Sequence, residues 1–546
     1  MNKNTSSSLP TVDTSETTSA SFWMRHYFKV FLAVCFCAYL GIVSRGLDGP
    51  MMGLHDFRQT QTALSSYWTI KEGFRLDYIT PVRGAPWSIP LEFPLYQWIV
   101  AGVQIVTGEV LPLDLCGRLV SGLFFLLSIP PLFALARRLL RNQDMALLYV
   151  VFLLLNPIHL FWGRGFMIEA TVLCFSAWFL WFFERTLRLG RVRNYVGAIV
   201  LGVLAALVKP TTYAVFLCAA FFFYAARFWR YEWPERNPKR IARFFLKGFC
   251  LTIFSLAAAW LWTHYSDGVK MGHPYTPLIT ERMHGWNYGT LAQRLNYDNW
   301  SRILLHYNGF VSAMSSWVGL HGACLAVGAA LTIWLVFAGY RPLGVATLAL
   351  VVVGPAVFFN LFFRHDYYQM AVTWASCFFA VLPFAAAIKN GKWTRTIRYV
   401  VIPLACVVLV SGYMKSIYYR TQHWKRTDNP GFFQLTEYIK QATDQKKDMI
   451  LFVTPDGWNA KYAYYSERKS LCFGSKLTRD YFEDPKFLAM QEVLTNDGMR
   501  LRAIVTLGEK LQLTPALATY LKRRFNTPGK RAVMNGPVLL FDAADE

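Results

Sequence analysis

Long apolar runs, separated by short polar and basic segments, recur along most of this chain. A run of roughly 18 to 22 apolar residues is long enough to cross the hydrocarbon core of a bilayer as an α-helix. Eleven segments are predicted to span: 27–47, 117–137, 145–162, 166–183, 195–208, 211–226, 244–263, 319–338, 343–363, 369–388 and 398–414. The pattern therefore predicts a polytopic α-helical membrane protein.

Composition agrees with this prediction. Of the 546 residues, 54% are hydrophobic and only 16% are charged, and the mean hydropathy is +0.27. Soluble domains carry about 25% charged residues. The net charge of +23 could favour nucleic acid as a partner, but many of the basic residues lie in short segments between apolar runs, as membrane topology requires. No nucleic-acid partner is therefore predicted.

The basic residues also predict the orientation. They cluster at Arg25/Lys29, Arg137 to Arg141, Arg185 to Arg193, Arg227 to Arg243, Arg341, and Lys389 to Arg398. If the shorter apolar segment 94–107 does not cross, every cluster falls on one side, which is the cytoplasmic side by the positive-inside rule. We therefore predict an internal N-terminus, an external C-terminus, and a helix over 94–107 that lies against the outer face.

Three regions follow from this topology. Residues 1–22 are polar and rich in Ser and Thr, and are predicted to be a disordered cytoplasmic N-terminus. Residues 23–414 form the transmembrane module, with external loops 48–116 and 264–318. In residues 415–546, the strand-like runs "DMILFVTP", "LRAIVTL" and "GPVLLFD" alternate with the helical patterns "GFFQLTEYIKQAT" and "LTPALATYLKRRF", which predicts a small periplasmic α/β domain.

Charged and aromatic side chains gather at the predicted outer ends of the spans rather than in their middles. They are Asp56 and Arg58 after the first span, Arg164 and Glu169 at the fourth, Lys209 at the fifth, and Arg364, His365, Asp366, Tyr367 and Tyr368 in the turn "RHDYYQM". A carboxylate at a wet membrane surface can take a proton from a hydroxyl nucleophile. Lys and Arg can hold an anionic leaving group such as a lipid phosphate. The set predicts glycosyl transfer from a lipid-phosphate sugar.

Each residue also has a purely structural interpretation. Glu169 and Arg164 could form only an ion pair, and Lys209 could be an interface lysine that reaches for water. His365 and the two tyrosines could belong to an aromatic belt. Asp56 could cap a helix beside a solvated ion pair. The placement of all these residues at one level favours the functional interpretation.

Several motifs resemble the GT-C superfamily of integral-membrane glycosyltransferases, in the bacterial branch that joins protein O-mannosyltransferases and lipid A aminoarabinose transferases. They are "HDFRQTQTA", "LEFPLYQW", "RGFMIE", "HDYYQ" and "YAYYSERKS". The resemblance implies two juxtamembrane helices in the first external loop. It also implies catalytic roles for Asp56, as the base, and for Glu169. The aminoarabinose branch has a phosphate-binding Lys where this chain has Phe93. The remaining candidates for the phosphate are Arg58, Arg83, Arg164, Lys209 and Arg364.

The predicted function is an inverting transfer of a sugar from a polyprenyl-phosphate-linked donor to a hydroxyl or phosphate of a cell-envelope acceptor, such as lipopolysaccharide, lipid A or another envelope glycan. The predicted location is the periplasmic face of the bacterial inner membrane, where the loop 264–318 would cover the site. No cofactor is predicted with certainty, and a divalent cation at Asp56 or Glu169 is left open. An O-antigen ligase-type enzyme and a protein O-mannosyltransferase are the enzymatic alternatives. A transporter is less favoured, because coupling charges usually lie near the bilayer midplane.

Overall fold

The computed structural model describes residues 14–319, 327–328, 340–389, 394–454, 457, 459–474, 484–507, 531–533 and 537–540. The predicted span 319–338 and the helical pattern at 513–525 lie almost entirely outside the described residues. Within them, the chain is a bundle of apolar helices followed by a small sheet with helices.

The helices of the membrane part differ widely in length, from 3 to 34 residues. They are α1 (Thr14–Val43), α2 (Asp56–Glu72), α3 (Leu95–Val106), α4 (Leu113–Leu140), α5 (Gln143–Leu155), α6 (Pro157–Trp162), α7 (Glu169–Leu189), α8 (Val192–Val208), α9 (Pro210–Arg227), α10 (Pro238–Met271), α11 (Pro277–Tyr288), α12 (Leu291–Leu295), α13 (Tyr297–Ser301), α14 (Arg341–Val357), α15 (Phe359–Arg364), α16 (Met370–Lys389), α17 (Thr394–Thr396) and α18 (Ile402–Lys415). Single π turns occur at Phe228–Glu232, Arg302–His306 and Ile397–Val401, and a 3₁₀ turn at Asp366–Gln369.

Six of the described helices are long and apolar enough to cross a membrane, and four further apolar helices are shorter. Two predicted spans are broken in the structure. The segment 145–162 is divided at Asn156, whose side chain accepts a hydrogen bond from the backbone N–H of Ile158, and Pro157 starts the next helix. The segment 343–363 is divided at Phe358.

The first helix starts earlier than its apolar run. It begins at Thr14, inside the segment 1–22 that was predicted to be disordered. Residues 14–22 contain no Pro or Gly, so they continue the helix that the apolar run nucleates. The prediction of disorder is therefore wrong for residues 14–22.

Helix α3 confirms the short helix predicted over 94–107. Its 12 residues span about 18 Å at 1.5 Å per residue, well short of the roughly 30 Å hydrocarbon core. Together, α2 and α3 supply two helices in the segment 48–116, as the resemblance implied for the first external loop.

The tail folds around a five-stranded sheet, which confirms the predicted small α/β domain. Its strands are β1 (Asp448–Thr454), β2 (Lys469–Gly474), β3 (Arg500–Thr506), β4 (Arg531–Val533) and β5 (Pro537–Leu540). They are ordered β2-β1-β3-β5-β4, with the first three parallel and β5 antiparallel to β3 and β4. The tail helices are α19 (Ile417–Gln422), α20 (Pro430–Ala442), α21 (Lys461–Ser466) and α22 (Pro485–Asn496), with a 3₁₀ turn at Arg426–Asp428.

The segment 48–116 attaches directly to this sheet. Ser470 and Cys472 of the edge strand β2 donate backbone hydrogen bonds to the carbonyls of Pro81 and Val82, at 3.0 and 2.8 Å, and Gly84 donates to Ser470 at 3.0 Å. The segment 81–84 thus extends the sheet by one short antiparallel pairing, which covers an otherwise unpaired edge. The tail domain is therefore fixed over the loop that carries Asp56.

Candidate active site

The site begins at the sharp turn that starts helix α2. His55 precedes the helix in the left-handed conformation, with φ 50° and ψ 42°. For a residue other than Gly this conformation costs on the order of 1 to 3 kcal/mol. Asp56 follows as the first helical residue, and its carboxylate accepts a hydrogen bond from the backbone N–H of Phe57 at 2.7 Å. The negative charge at a helix N-terminus also favours this start.

Asp56 is held by the tail domain. The ammonium of Lys461 lies 3.0 Å from one carboxylate oxygen, and the amide nitrogen of Asn459 lies 3.4 Å from the other. These residues are about 400 positions away in the sequence, so only the folded chain brings them together. The proposed base therefore sits at the contact between the membrane part and the tail.

Arg58 points to a different carboxylate. Its guanidinium forms an ion pair with Glu92, in the segment before α3, and donates to Gln61 at 3.1 Å. Burial alone would disfavour its charge, but Glu92 and the nearby Glu169 outweigh this and raise the pKa of Arg58 above its ordinary value. Arg58 is thus a fixed positive charge.

Glu169 and Lys209 form the most buried ion pair of the site. Glu169 begins α7 and Lys209 lies at the junction of α8 and α9, and their side chains are 1% and 3% exposed. The ammonium of Lys209 also lies 3.9 Å from the ring centroid of Tyr368 and 5.1 Å from that of Tyr367. The alternative interpretation, in which Glu169 and Arg164 form only an ion pair, is therefore wrong, because Lys209 takes that place.

The turn 364–369 adds an aromatic and acidic wall. Nε2 of His55 lies 3.0 Å from Asp366, which also accepts a hydrogen bond from the hydroxyl of Tyr418 at 2.6 Å. The ring of His365 lies 5.1 Å from that of His55 and stacks on Tyr367 at 5.2 Å. Burial, and then the neighbouring His55, lower the pKa of His365 to about 3. His365 is therefore neutral at physiological pH.

Two polar atoms in this cluster point to a ligand. Oε2 of Glu169 and Nδ1 of His365 are buried, and neither has a hydrogen-bond partner among the described residues. A buried polar atom without a partner is costly, on the order of 1 to 3 kcal/mol. A substrate hydroxyl or phosphate oxygen would relieve that cost.

The two lysine pairs differ in how easily they can open. Removing one partner of a fully buried pair such as Lys209–Glu169 typically costs about 3 to 5 kcal/mol, because a buried charge is left uncompensated. The Lys461–Asp56 pair is only partly buried, since its two side chains are 13% and 21% exposed. Opening this pair therefore costs less than opening Lys209–Glu169, because water reaches the separated charges.

Comparisons with known proteins agree with this architecture. Residues 89–260 match the family model described as dolichyl-phosphate-mannose-protein mannosyltransferase. The solved structure of ArnT from Cupriavidus metallidurans bound to undecaprenyl phosphate is similar, with 12% identity, a TM-score of 0.59, and coverage of 95% of this chain and 98% of that one. Its apo state gives a TM-score of 0.55 at 12% identity, covering 96% and 98%. This chain has the GT-C glycosyltransferase fold.

A more distant structure has the same fold. The archaeal oligosaccharyltransferase AglB from Archaeoglobus fulgidus, in complex with an inhibitory peptide and a dolichol-phosphate, matches at 11% identity with a TM-score of 0.50, over 89% of this chain and 70% of that one. No curated protein sequence matches the chain. The GT-C resemblance drawn from the motifs is therefore confirmed at the level of the fold.

Three of the predicted phosphate ligands lie outside the cluster around Glu169 and Lys209. Arg164 donates to the backbone carbonyls of Val43 and Arg45, at 3.0 and 2.9 Å, at the end of α1. Arg83 lies at the edge of the tail sheet, paired through its backbone with Leu471. Arg364 is exposed and lies over the ring of Phe363. The structure thus brings together Arg58, Glu169, Lys209, Tyr367 and Tyr368. His55 and His365 lie against this cluster, and Asp56 directly follows His55 in the chain.

Replacement of Arg164 by Met is expected to destabilise the protein without weakening donor binding. The variant loses two charge-assisted hydrogen bonds to helix-end carbonyls, which should cost about 2 kcal/mol or more. Thermal unfolding in detergent measures the loss, and titration with undecaprenyl phosphate measures binding. Arg364→Gln, at an exposed position, is the control for stability. A tenfold weaker affinity in a folded Arg164→Met protein would instead make Arg164 a ligand of the phosphate.

The structure adds residues that the sequence analysis did not select. Glu92 stands within the quoted "LEFPLYQW" motif, so its position next to Phe93 was the available signal. Lys461 directly precedes the quoted motif "YAYYSERKS", which was the available signal for it. Asn459 and Tyr418 lie outside every selected motif. Phe93 packs against Trp98 and Trp262, at ring distances of 5.4 and 5.1 Å, so it fills an aromatic cluster.

Metal binding has no ready-made site in the described part of the chain. Within those residues, no group of three or more His, Cys, Asp or Glu side chains could hold a metal ion. Asp56 and Glu169 each have a lysine ammonium beside the carboxylate instead. A cation at these carboxylates stays a prediction.

The sequence predicted that the loop 264–318 covers the site, and the positions of its helices support this in part. Trp286 of α11 lies 6.3 Å from the ring of His365, and its carbonyl accepts a hydrogen bond from Asn360 at 2.7 Å. Helix α10 continues to Met271, so the first residues of the predicted loop are helical. The loop thus lies against the site. Its mobility stays a prediction.

Proposed function

We propose that this protein transfers a sugar from a polyprenyl-phosphate-linked donor to a hydroxyl or phosphate of a cell-envelope acceptor, at the periplasmic face of the bacterial inner membrane. The observation that carries the proposal is the cluster of Arg58, Glu169 and Lys209 on a GT-C fold, with Asp56 beside His55, whose ring contacts the aromatic wall of that cluster. Both ArnT and AglB were solved with a polyprenyl phosphate, and the matching family model is named for a dolichyl-phosphate sugar.

The chemistry assigns a separate task to each charge. Asp56 accepts the proton of the acceptor hydroxyl as its oxygen attacks the anomeric carbon of the sugar. The bond between that carbon and the phosphate oxygen breaks, and its electron pair leaves with the lipid phosphate. Arg58 and Lys209 stabilise the charge that develops on the phosphate. A single displacement of this kind inverts the anomeric centre.

Glu169 fixes the position of Lys209 in this proposed site. One of its oxygens pairs with Lys209, and the other is buried without a hydrogen-bond partner among the described residues. That free oxygen can accept a hydrogen bond from a sugar hydroxyl. Neutral His365, with its buried Nδ1, can bind the sugar from the opposite wall. Both residues would orient the donor rather than take a proton from the acceptor.

An apolar cavity on the helix bundle suits the lipid chain of the donor. It has a volume of about 490 Å³ and lies between α9 and α14, lined by Leu217, Cys218, Phe221, Phe222, Ala349, Val352 and Val353. Leu217 is eight residues from Lys209, which is about 12 Å along a helix. A polyprenyl phosphate held at Lys209 would therefore reach this cavity with the first part of its chain.

Ala349→Trp is expected to fill this cavity and to raise the KM for a long-chain donor about tenfold. That change corresponds to about 1.4 kcal/mol, or roughly two buried methylene groups. The KM for a donor with a chain too short to reach the cavity should change less than about twofold. Steady-state kinetics with the two donors measure the difference, and Leu256→Trp on α10 is the control for a lipid-facing tryptophan. Equal effects on both donors would remove the cavity from the donor site.

Transfer to a protein hydroxyl is the second candidate function. It is favoured by the family model, whose description names a protein mannosyltransferase. The two candidates share the donor and the base, and they differ only in the acceptor.

A panel of purified donors and acceptors tests the proposal. Polyprenyl-phosphate sugars and a polyprenyl-diphosphate glycan are each offered with lipid A, envelope glycan and serine- or threonine-containing peptides. We expect consumption of a polyprenyl-phosphate sugar with a lipid or glycan acceptor. Glycosylated peptide would establish the second candidate. Consumption of the diphosphate glycan alone would replace the proposal with a ligase-type transfer.

A further inference from the structure

Lys461 of the tail domain occupies a position that the proposed function does not use. Its ammonium lies 3.0 Å from the carboxylate of Asp56, and Asn459 supports the same carboxylate from the other side. A proposed base with a lysine on it is already neutralised, and it must lose that partner, or share it, before it can take a proton. When Asp56 acts as the base, the ammonium of Lys461 therefore needs another anionic partner.

We propose that Lys461 binds a phosphate group of the substrate, exchanging Asp56 for that phosphate when substrate enters. This inference rests on the proposed function and adds a substrate-binding residue from the tail domain. Lysine is a compact positive charge on a flexible four-carbon chain, and it binds phosphate as a point charge. The exchange keeps the charges balanced. The phosphate becomes the ion-pair partner of Lys461, and the carboxylate of Asp56 is then available to accept a proton.

The backbone around Lys461 is fixed, so the exchange is a movement of the side chain. In helix α21, Tyr464 donates a hydrogen bond to Asp114 of α4, and the hydroxyl of Tyr465 accepts one from the backbone N–H of Met51 at 2.7 Å. Just after the helix, Glu467 accepts a hydrogen bond from Tyr67 of α2 at 2.9 Å. These contacts attach α21 to both neighbouring membrane-part helices.

The exposure of the pair permits the exchange. The side chains of Lys461 and Asp56 are 13% and 21% exposed, whereas those of Lys209 and Glu169 are 3% and 1% exposed. Water can therefore solvate Lys461 as it leaves Asp56. Lys209 has no such route, and it serves as a permanent charge.

The exchange predicts an unusual pair of binding results. Asp56→Asn frees Lys461 from its competitor, so the full-length variant should bind a phosphorylated substrate about threefold to tenfold more tightly than wild type. Lys461→Gln should bind it about tenfold more weakly. In the double variant the gain from Asp56→Asn should disappear, because the lysine that produces it is absent. Lys461→Arg should restore most of the affinity.

The experiment is titration calorimetry with two probes, undecaprenyl phosphate and bisphosphorylated lipid A, each in detergent. A response to the first assigns Lys461 to the donor phosphate, and a response to the second assigns it to an acceptor phosphate. Lys486→Gln, at an exposed lysine of the same domain, controls for the loss of one charge. Thermal unfolding confirms that each variant is folded. In turnover, Lys461→Gln should raise the KM of the responding substrate more than it lowers kcat.

Two outcomes would overturn the inference. If wild type binds a probe and neither Asp56→Asn nor Lys461→Gln changes its affinity, Lys461 is only a structural brace for the tail. In that case the proposed function stands, since it does not depend on Lys461. If wild type binds neither probe, the proposed function fails and this inference fails with it.

Discussion

Asp56→Asn is expected to lower kcat by about 10²- to 10⁴-fold, the range that a positioned general base contributes. The amide keeps the size of the side chain and its contact with the backbone N–H of Phe57, but it cannot accept the acceptor's proton. Binding of polyprenyl phosphate should not be weakened, because Arg58 and Lys209 keep their places. Single-turnover transfer, with binding measured separately, distinguishes the two effects.

Asp77→Asn is the matched control for this result. Asp77 lies in the same external loop and pairs with Arg75 at the surface, where Arg75 lowers the pKa of its carboxyl. Its loss should leave kcat within about twofold, since a surface pair contributes less than about 1 kcal/mol. If Asp56→Asn retained a tenth or more of wild-type kcat, another residue would have to be the base.

Lys209→Met is expected to have the largest effect on stability. It leaves Glu169 buried without its partner, which should cost about 3 to 5 kcal/mol. Glu169→Met/Lys209→Met removes both charges, and replacing a buried pair with apolar side chains is often neutral or stabilising. The double variant should therefore recover most of the lost stability, and its kcat should stay more than about 100-fold below wild type, since one phosphate ligand is missing.

Thermal unfolding and transfer assays on these two variants and on Glu169→Met separate a structural pair from a functional one. Recovery of stability without activity is the expected result. Recovery of both would mean that the pair only braces α7 against α9, and Arg58 alone would then have to hold the phosphate.

The membrane architecture could be predicted because its signals are local. Apolar runs located most helix positions, and α3 confirms the short helix over 94–107. Its place outside the membrane, which the basic clusters favour, stays a prediction. The break at Phe358 was missed because it lies inside an apolar run, whereas the pair Asn156–Pro157 was an available signal for the other break. In the tail, β1, β3 and β5 were recognised from their apolar runs, whereas β2 was missed because "KSLCFG" is short and mixed.

The candidate site was predicted in part, and the limit is again physical. Charged residues at helix ends are visible in the sequence, so Asp56, Arg58, Glu169, Lys209 and the turn at His365 could be chosen. Their ion-pair partners could not be predicted, because pairing depends on which helix ends meet in the folded chain. Arg164 is five residues from Glu169 in the chain, yet it caps α1, and Lys209 takes the carboxylate. Lys461 reaches Asp56 only through the docking of the tail domain.

The most direct test of the central claim is the stoichiometry of one reaction in proteoliposomes. The donor identified by the panel is labelled in its sugar, and polyprenyl phosphate and glycosylated acceptor are quantified together by mass spectrometry. The proposed function predicts that wild type forms the two products one to one, and that Asp56→Asn forms neither at a comparable rate. Glycosylated acceptor without polyprenyl phosphate, or equal rates in the two proteins, would contradict it.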